Sequence, residues 1–230
     1  MNIQVEIACG SLAEVHTAIA AGADRIELNA ALSLGGLTPS IGALRETFKM
    51  VRSSGSSVEI LPMLRPCGGG FCYDAFDFKT MLEDASILIA EGSPGFVFGI
   101  TKSDNTIDKE RCEQIVKLAA GKDIIFHRAF DTVPNWKAAL DTLCDLGFRR
   151  VLSSGLTSNA EDGIKTLKAM CEYAAGRIEI LPGGGVRSNN VGKILNETGC
   201  NQAHFSLRKT ETEFFNQEEA ALMIQVAKNN

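Results

Sequence analysis

Five side chains able to move protons or bind anions stand where short apolar runs end: Glu27 in RIELN, Arg65 after VEILPML, and His127, Arg128 and Asp131 in IIFHRAFDT. Burying an imidazole or a guanidinium costs free energy unless it is paired or hydrogen-bonded, so a plain buried strand has no use for them. Glu27 and His127 are the residue types that exchange protons, and Arg65 and Arg128 offer the planar fork that grips a carboxylate or phosphate. Asp131 is spaced to orient the His127 ring. The same residues could instead form a structural ion-pair network, and both readings stay open on the sequence alone.

Two glycine clusters add to this set. In LPGGGVRSNN, Gly183, Gly184 and Gly185 precede a helix expected to be capped near Ser188, and exposed backbone N–H groups beside a helix N-terminus can hold phosphate. Ser206 and Arg208, at the end of the last apolar run, join them as candidate anion ligands. A tight turn alone would also explain the glycines. PCGGGFCYD, residues 66 to 74, is too long for a simple turn, carries Cys67, Cys72 and Tyr73, and is expected to act as a mobile lid.

Positioning these residues requires elements whose ends converge. Eight short β-rich runs (IQVEIA, RIELN, VEILPML, GFVFGI, DIIFHR, RRVLSS, RIEILP and QAHFSL) alternate with eight stretches of helical period. Glycines at 22, 55, 92, 121, 147, 176 and 199 fall where helices should stop, Pro134 suits a first helical turn, and Asn216 with Glu219 forms a capping-box pattern. Eight β/α units in 230 residues predict an α/β fold, a (β/α)8 TIM barrel with residues 1–230 as a single domain. An open doubly wound sheet is the alternative. In a barrel the carboxyl ends of the strands form the functional face. Strand alternation then sends Arg25, Glu27 and Asn29 inward with Glu59, Leu61, Met63 and Arg65, and likewise Ile125 with His127.

Composition narrows the function classes. With 23 Lys and Arg against 28 Asp and Glu, the net charge is −5 and no basic block tracks a phosphate backbone, so nucleic acid is not an expected partner. No run of about 18 apolar residues predicts a membrane span, and the first residues lack a signal-peptide pattern, so a soluble, cytoplasmic protein is expected. Seven cysteines without a CxxC pair argue against a disulfide framework. No organic cofactor is indicated.

DRIELNAALSLGGLTPS (24 to 40), RPCGGGFCY (65 to 73), FHRAFD (126 to 131), SSG (153 to 155) and PGGGV (182 to 186) resemble, in order, the sequence blocks of the CutC family. The resemblance implies a barrel, a homodimer or higher homo-oligomer in the cytoplasm, and a role in copper homeostasis, with Cu(I) as a bound ion. Relatives often carry cysteine where this chain has Ala8 and Asn29, and Cys9 is displaced by one residue, which turns it to the opposite face of its strand. Cys67 and Cys72 remain as the soft pair suited to Cu(I), while Glu6, Glu27, His127 and His204 would suit a divalent ion. Three functions follow as expectations: Cu(I) binding or trafficking, acid/base catalysis on a small phosphorylated or carboxylated metabolite, and an interaction scaffold.

Overall fold

Each β-rich run forms a parallel strand and each helical stretch packs outside it. The computed structural model describes residues 3–208 and 216–229. Its elements run β1 (Gln4–Cys9), α1 (Leu12–Ala21), β2 (Arg25–Leu28), α2 (Ile41–Ser54), β3 (Glu59–Pro62), α3 (Ala75–Ala90), β4 (Gly95–Phe98) and α4 (Lys109–Ala119). The second half continues with β5 (Asp123–Phe126), α5 (Trp136–Asp145), β6 (Arg150–Ser153), α6 (Ile164–Ala174), β7 (Glu179–Pro182), α7 (Val191–Thr198), β8 (Gln202–Ser206) and α8 (Gln217–Lys228).

Pairing decides between barrel and open sheet. Ladders run β3-β2-β1-β8 and β4-β5-β6-β7, so the first strand pairs with the last, Glu6 opposite His204. A parallel bridge between Met63 and Val97 joins the two arcs, and the Gln202 side chain donates to the Ile180 carbonyl between β7 and β8. The fold is a (β/α)8 TIM barrel. Alternate residues divide as expected: Leu61, Met63, Val97 and Ile125 fill the interior, while Ile7, Ile26, Phe98, Phe126 and Phe205 belong to the larger core under the helices. None of the described helices is long and apolar enough to cross a membrane.

The glycine punctuation holds, with φ between 66° and 90° at all seven positions. Gly22, Gly55 and Gly199 are themselves the left-handed helix caps; the other four lie one residue beyond a cap. Asn216 and Glu219 form the reciprocal capping box. Two expected starts shift. Pro134 lies before α5, which Asn135 caps by accepting from the Ala138 amide, and Ser188 lies in a turn ahead of α7, whose first flanking residue is Asn190. There the Asn190 carboxamide oxygen accepts from the Arg187 amide, which delays the helix by stabilising the turn instead.

Gly95 shows how closely adjacent strands are fitted. A Cβ built there would lie 1.8 Å from the Asp123 carbonyl oxygen, part of the neighbouring backbone. Gly95→Ala is therefore expected to destabilise by about 1–3 kcal/mol or more, as overpacking does. Gly42→Ala, in α2 with nothing nearer than 3.8 Å, should be neutral or stabilise by up to about 1 kcal/mol. Urea unfolding of both variants checks the contrast; equal midpoints would mean that β4 can shift without cost.

Candidate functional site

Strand direction makes the site. A cavity of about 260 Å³ opens at the carboxyl ends of the strands, with Glu27, His127 and His204 on its wall and Arg128, Gly184 and Arg208 toward its rim. Inward alternation on three neighbouring strands brings Glu6 and Arg25 together beneath Glu27 and His204. All four are buried.

Their hydrogen bonds form a chain. Arg25 donates through Nε to Glu6 Oε2 at 3.0 Å and through Nη2 to Gln202 Oε1 at 2.7 Å, while Glu6 Oε1 meets His204 Nδ1 at 2.7 Å. Burial pushes the Glu6 carboxyl up, but the Arg25 charge and the His204 hydrogen bond outweigh it and bring the pKa down to about 2. For His204, burial favours the neutral ring, yet the Glu6 hydrogen bond and the charges of Glu27 and Glu6 raise its pKa. Glu27 behaves oppositely to Glu6. Burial raises its pKa, His204 offsets part of this, and no arginine touches it. Its Oε1 accepts from Asn29 Nδ2 at 2.9 Å, and its Oε2 has no partner among the described residues.

His127 sits apart from this chain, on the far wall. Its Nδ1 accepts from the Ala129 amide at 3.2 Å, its Nε2 is buried without a partner, and Phe71 packs on the ring with centroids 4.8 Å apart. Burial and the nearby Arg65 charge lower its pKa to about 3, so the ring is neutral.

Two expected partnerships are replaced. Asp131 does not orient His127: its carboxylate accepts from Arg128 Nε at 2.8 Å, from the Ser153 hydroxyl at 2.6 Å and from the Ser154 hydroxyl at 2.9 Å. The reason is geometric, because residues 128–132 form a short 3-10 turn that carries Asp131 toward β6. Arg65 likewise does not neutralise Glu27. It donates to the carbonyls of Leu34, Gly36 and Gly69 and lies over the Phe71 ring, clamping the two loops that cover the cavity.

At the rim, the amides of Gly184 and Gly185 donate to no group among the described residues, and Arg128 Nη1 lies 3.0 Å from where a Gly184 Cβ would stand. Ser206 Oγ accepts from the Arg208 amide. Ser206 and Arg208, at the end of the adjacent strand β8, line the cavity together with Gly184 and Gly185, and Arg208 Nη2 also lies 3.8 Å from Glu14 Oε1. Glu6 and His204, named on the sequence only as possible metal donors, prove central. Their signal was available in strand alternation, since both fall on the inward face with Glu27.

Metal-binding capacity follows from the donors. Glu6, Glu27 and His204 each offer an atom within 4.8 Å of the others, a hard or borderline set. Both Glu6 oxygens are already engaged, one by a guanidinium, so the cluster is built as a proton network. Cu(I) fits poorly. The sulfur on the cavity wall is the Met63 thioether, Ala8 presents a methyl group, and Cys9 turns outward into the core. Cys67 lines no part of the cavity; its thiol donates to Asp77 at 3.4 Å, and burial together with the Asp77 contact raises its pKa, disfavouring thiolate. Cys72 is exposed in the same loop.

Comparison with known proteins sets this geometry in a family. The CutC family model matches residues 3–209. The chain belongs to the CutC family. Among its relatives, a protein of Treponema denticola named as family protein CutC is 48% identical over 212 residues, covering 92% of this chain and 84% of the relative. The human copper homeostasis protein cutC homolog is 39% identical over 206 residues, covering 90% and 74%. The crystal structure of CutC from Streptococcus agalactiae superimposes with a TM-score of 0.85 at 36% identity, covering 90% of this chain and all of that one.

The neutral His127 has a measurable cost in acid. Its folded pKa, about 3, lies below the ordinary 6.5, so its contribution to stability is complete above pH 6.5 and is lost as pH falls toward 3. Glu6 adds a second loss below its ordinary 4.5, ending near 2. At about 1.4 kcal/mol per pKa unit, wild type should lose about 2–3 kcal/mol relative to His127→Gln between pH 6.5 and 4.5. Urea unfolding at a series of pH values tests this; parallel curves would mean that His127 charges freely in the folded protein.

Proposed function

We propose that this CutC-family barrel is an enzyme that performs acid/base chemistry on a small phosphorylated or carboxylated metabolite, acting in the cytoplasm as a homo-oligomer. One observation carries the reading: two carboxylates with opposite pKa shifts share an imidazole at the floor of a cavity whose rim is cationic and rich in backbone N–H groups. Pairs of titratable groups whose environments drive them apart are how barrels divide acid and base roles at neutral pH. Glu6, held ionised by Arg25, fixes the ring of His204; Glu27, with one oxygen free, exchanges the proton. Arg128, Arg208, Ser206 and the amides of Gly184 and Gly185 receive the anion. Arg65 and Asp131 act through others, Arg65 by holding the covering loops and Asp131 by holding Arg128.

Relatives are named for copper homeostasis, and for this chain Cu(I) binding is proposed only at the Cys67 and Cys72 loop, where it must deprotonate a thiol held by Asp77. It should therefore be weak. Competition against a Cu(I) chelator should show binding that Cys67→Ser with Cys72→Ser abolishes; tight binding surviving in the double variant would place the metal among the strand ends.

Titration calorimetry with inorganic phosphate tests the anion site. Wild type should bind it, and Arg208→Gln should weaken binding about tenfold or more, the value of one charged hydrogen bond. Gly184→Ala should do the same by pushing a methyl group against Arg128. Unchanged binding in both variants would remove the rim from the reading.

A further inference from the structure

On the cavity wall, Glu27 Oε2 and His127 Nε2 have no hydrogen-bond partner among the described residues, and their side chains are each 4% exposed. Leaving a buried polar atom unpaired costs free energy, and such vacancies gather where a ligand completes them. The two atoms are complementary in kind. Glu27 Oε2 is an acceptor, with its sister oxygen already filled by Asn29. His127 Nε2 is a donor, because Nδ1 accepts the Ala129 amide proton and the single proton of the neutral ring must then sit on Nε2.

We propose that Glu27 removes a proton from carbon, that His127 donates a hydrogen bond to the oxyanion so formed, and that the substrate is a small phosphorylated or carboxylated carbonyl compound with an acidic hydrogen beside its carbonyl. The proposal rests on the reading of the barrel mouth as an acid/base site for an anion and adds to it the reacting group. In the step, the Glu27 carboxylate takes the hydrogen as a proton and the C–H electron pair becomes a C=C bond. The carbonyl π pair moves onto oxygen, where His127 Nε2–H stabilises it. Protonated Glu27 returns the proton to the carbon it came from while the electron pair on oxygen re-forms the carbonyl, so the net result is exchange of that hydrogen with solvent. Nothing is oxidised or reduced overall and no group leaves.

The surroundings suit that step. A neutral imidazole stabilises an enolate without surrendering its proton, and burial beside Arg65 keeps this ring neutral across the physiological range. Phe71 packs on the ring, and Arg65, which donates to the Gly69 carbonyl, lies over Phe71. Donors fixed before the charge develops need no reorganisation during reaction.

Phosphoglycolohydroxamate mimics the enolate and phosphoglycolamide does not, while both carry the same phosphate. Calorimetry should find the hydroxamate at least about tenfold tighter in wild type, as expected for an intermediate mimic. That advantage should vanish in His127→Phe and in Glu27→Gln, and return in part in His127→Gln, whose amide restores a donor. If His127→Phe does not fold, His127→Asn carries the same expectation, its amide being too short to reach. Equal binding of both probes by wild type would overturn the carbonyl inference while leaving the anion site standing. Failure of both probes would overturn the underlying reading as well. An advantage that persists in the Phe or Asn variant would overturn the role of His127.

Discussion

The Arg25 guanidinium, donating to Glu6 and Gln202 inside the barrel, is the contact on which the site depends. Two charges taken out of water are stable only when each is hydrogen-bonded as well as paired, and removing one partner of such a pair typically costs about 3–5 kcal/mol. Here the pair has a second consequence. Glu6 stays ionised, so it accepts from His204; His204 in turn offsets part of the rise in pKa that burial imposes on Glu27. One structural ion pair thus sets the protonation of two groups on the cavity wall. The structural and functional readings of the polar ring therefore describe different parts of it: Arg25 and Glu6 beneath, Glu27 and His204 above.

Much of the barrel was legible because its signals are local. Apolar runs of four to six residues, a glycine after each of the first seven helices and an alternation of period two are all readable without knowing what lies next to what. The inward direction of Glu27, Met63 and His127 followed from alternation alone. Partner choice did not. Whether Arg65 would meet Glu27 or three loop carbonyls depends on how the segments at 34–36 and 69 fold back, and no spacing in the sequence encodes that. The same limit misled the assignment of Asp131, where a 3-10 turn replaced the extended geometry that would have faced it toward His127. Glu6 and His204 lie 198 residues apart and meet only through closure of the ring.

Family membership and donor chemistry point in different directions. The relatives' names speak of copper, yet the cavity wall offers one carboxylate, two imidazoles and a thioether, with Arg128 and Arg208 toward its rim. Softness matching makes thiolate the natural ligand for Cu(I), and the thiols of this chain lie off the cavity: buried or half-buried, with Cys171 and Cys200 sulfurs 3.2 Å apart, bonded to a carboxylate, or exposed on a loop. A fold is shared more widely than any one chemistry placed on it, so the residues of the site carry the functional weight.

Closure between β1 and β8 also bears on how the protein is made. During synthesis β1 can pair early with β2, but its other edge stays open, and Glu6 and Arg25 lack their His204 and Gln202 partners until residues 202 to 204 arrive. Loop-closure entropy must be met before such distant contacts reward it, so ring completion belongs among the slow, late events of folding. The polar floor is thus assembled last. A nascent or truncated chain lacking β8 holds half of the network, Arg25 and Glu6 without Gln202 and His204, so the polar floor exists only in chains that have closed.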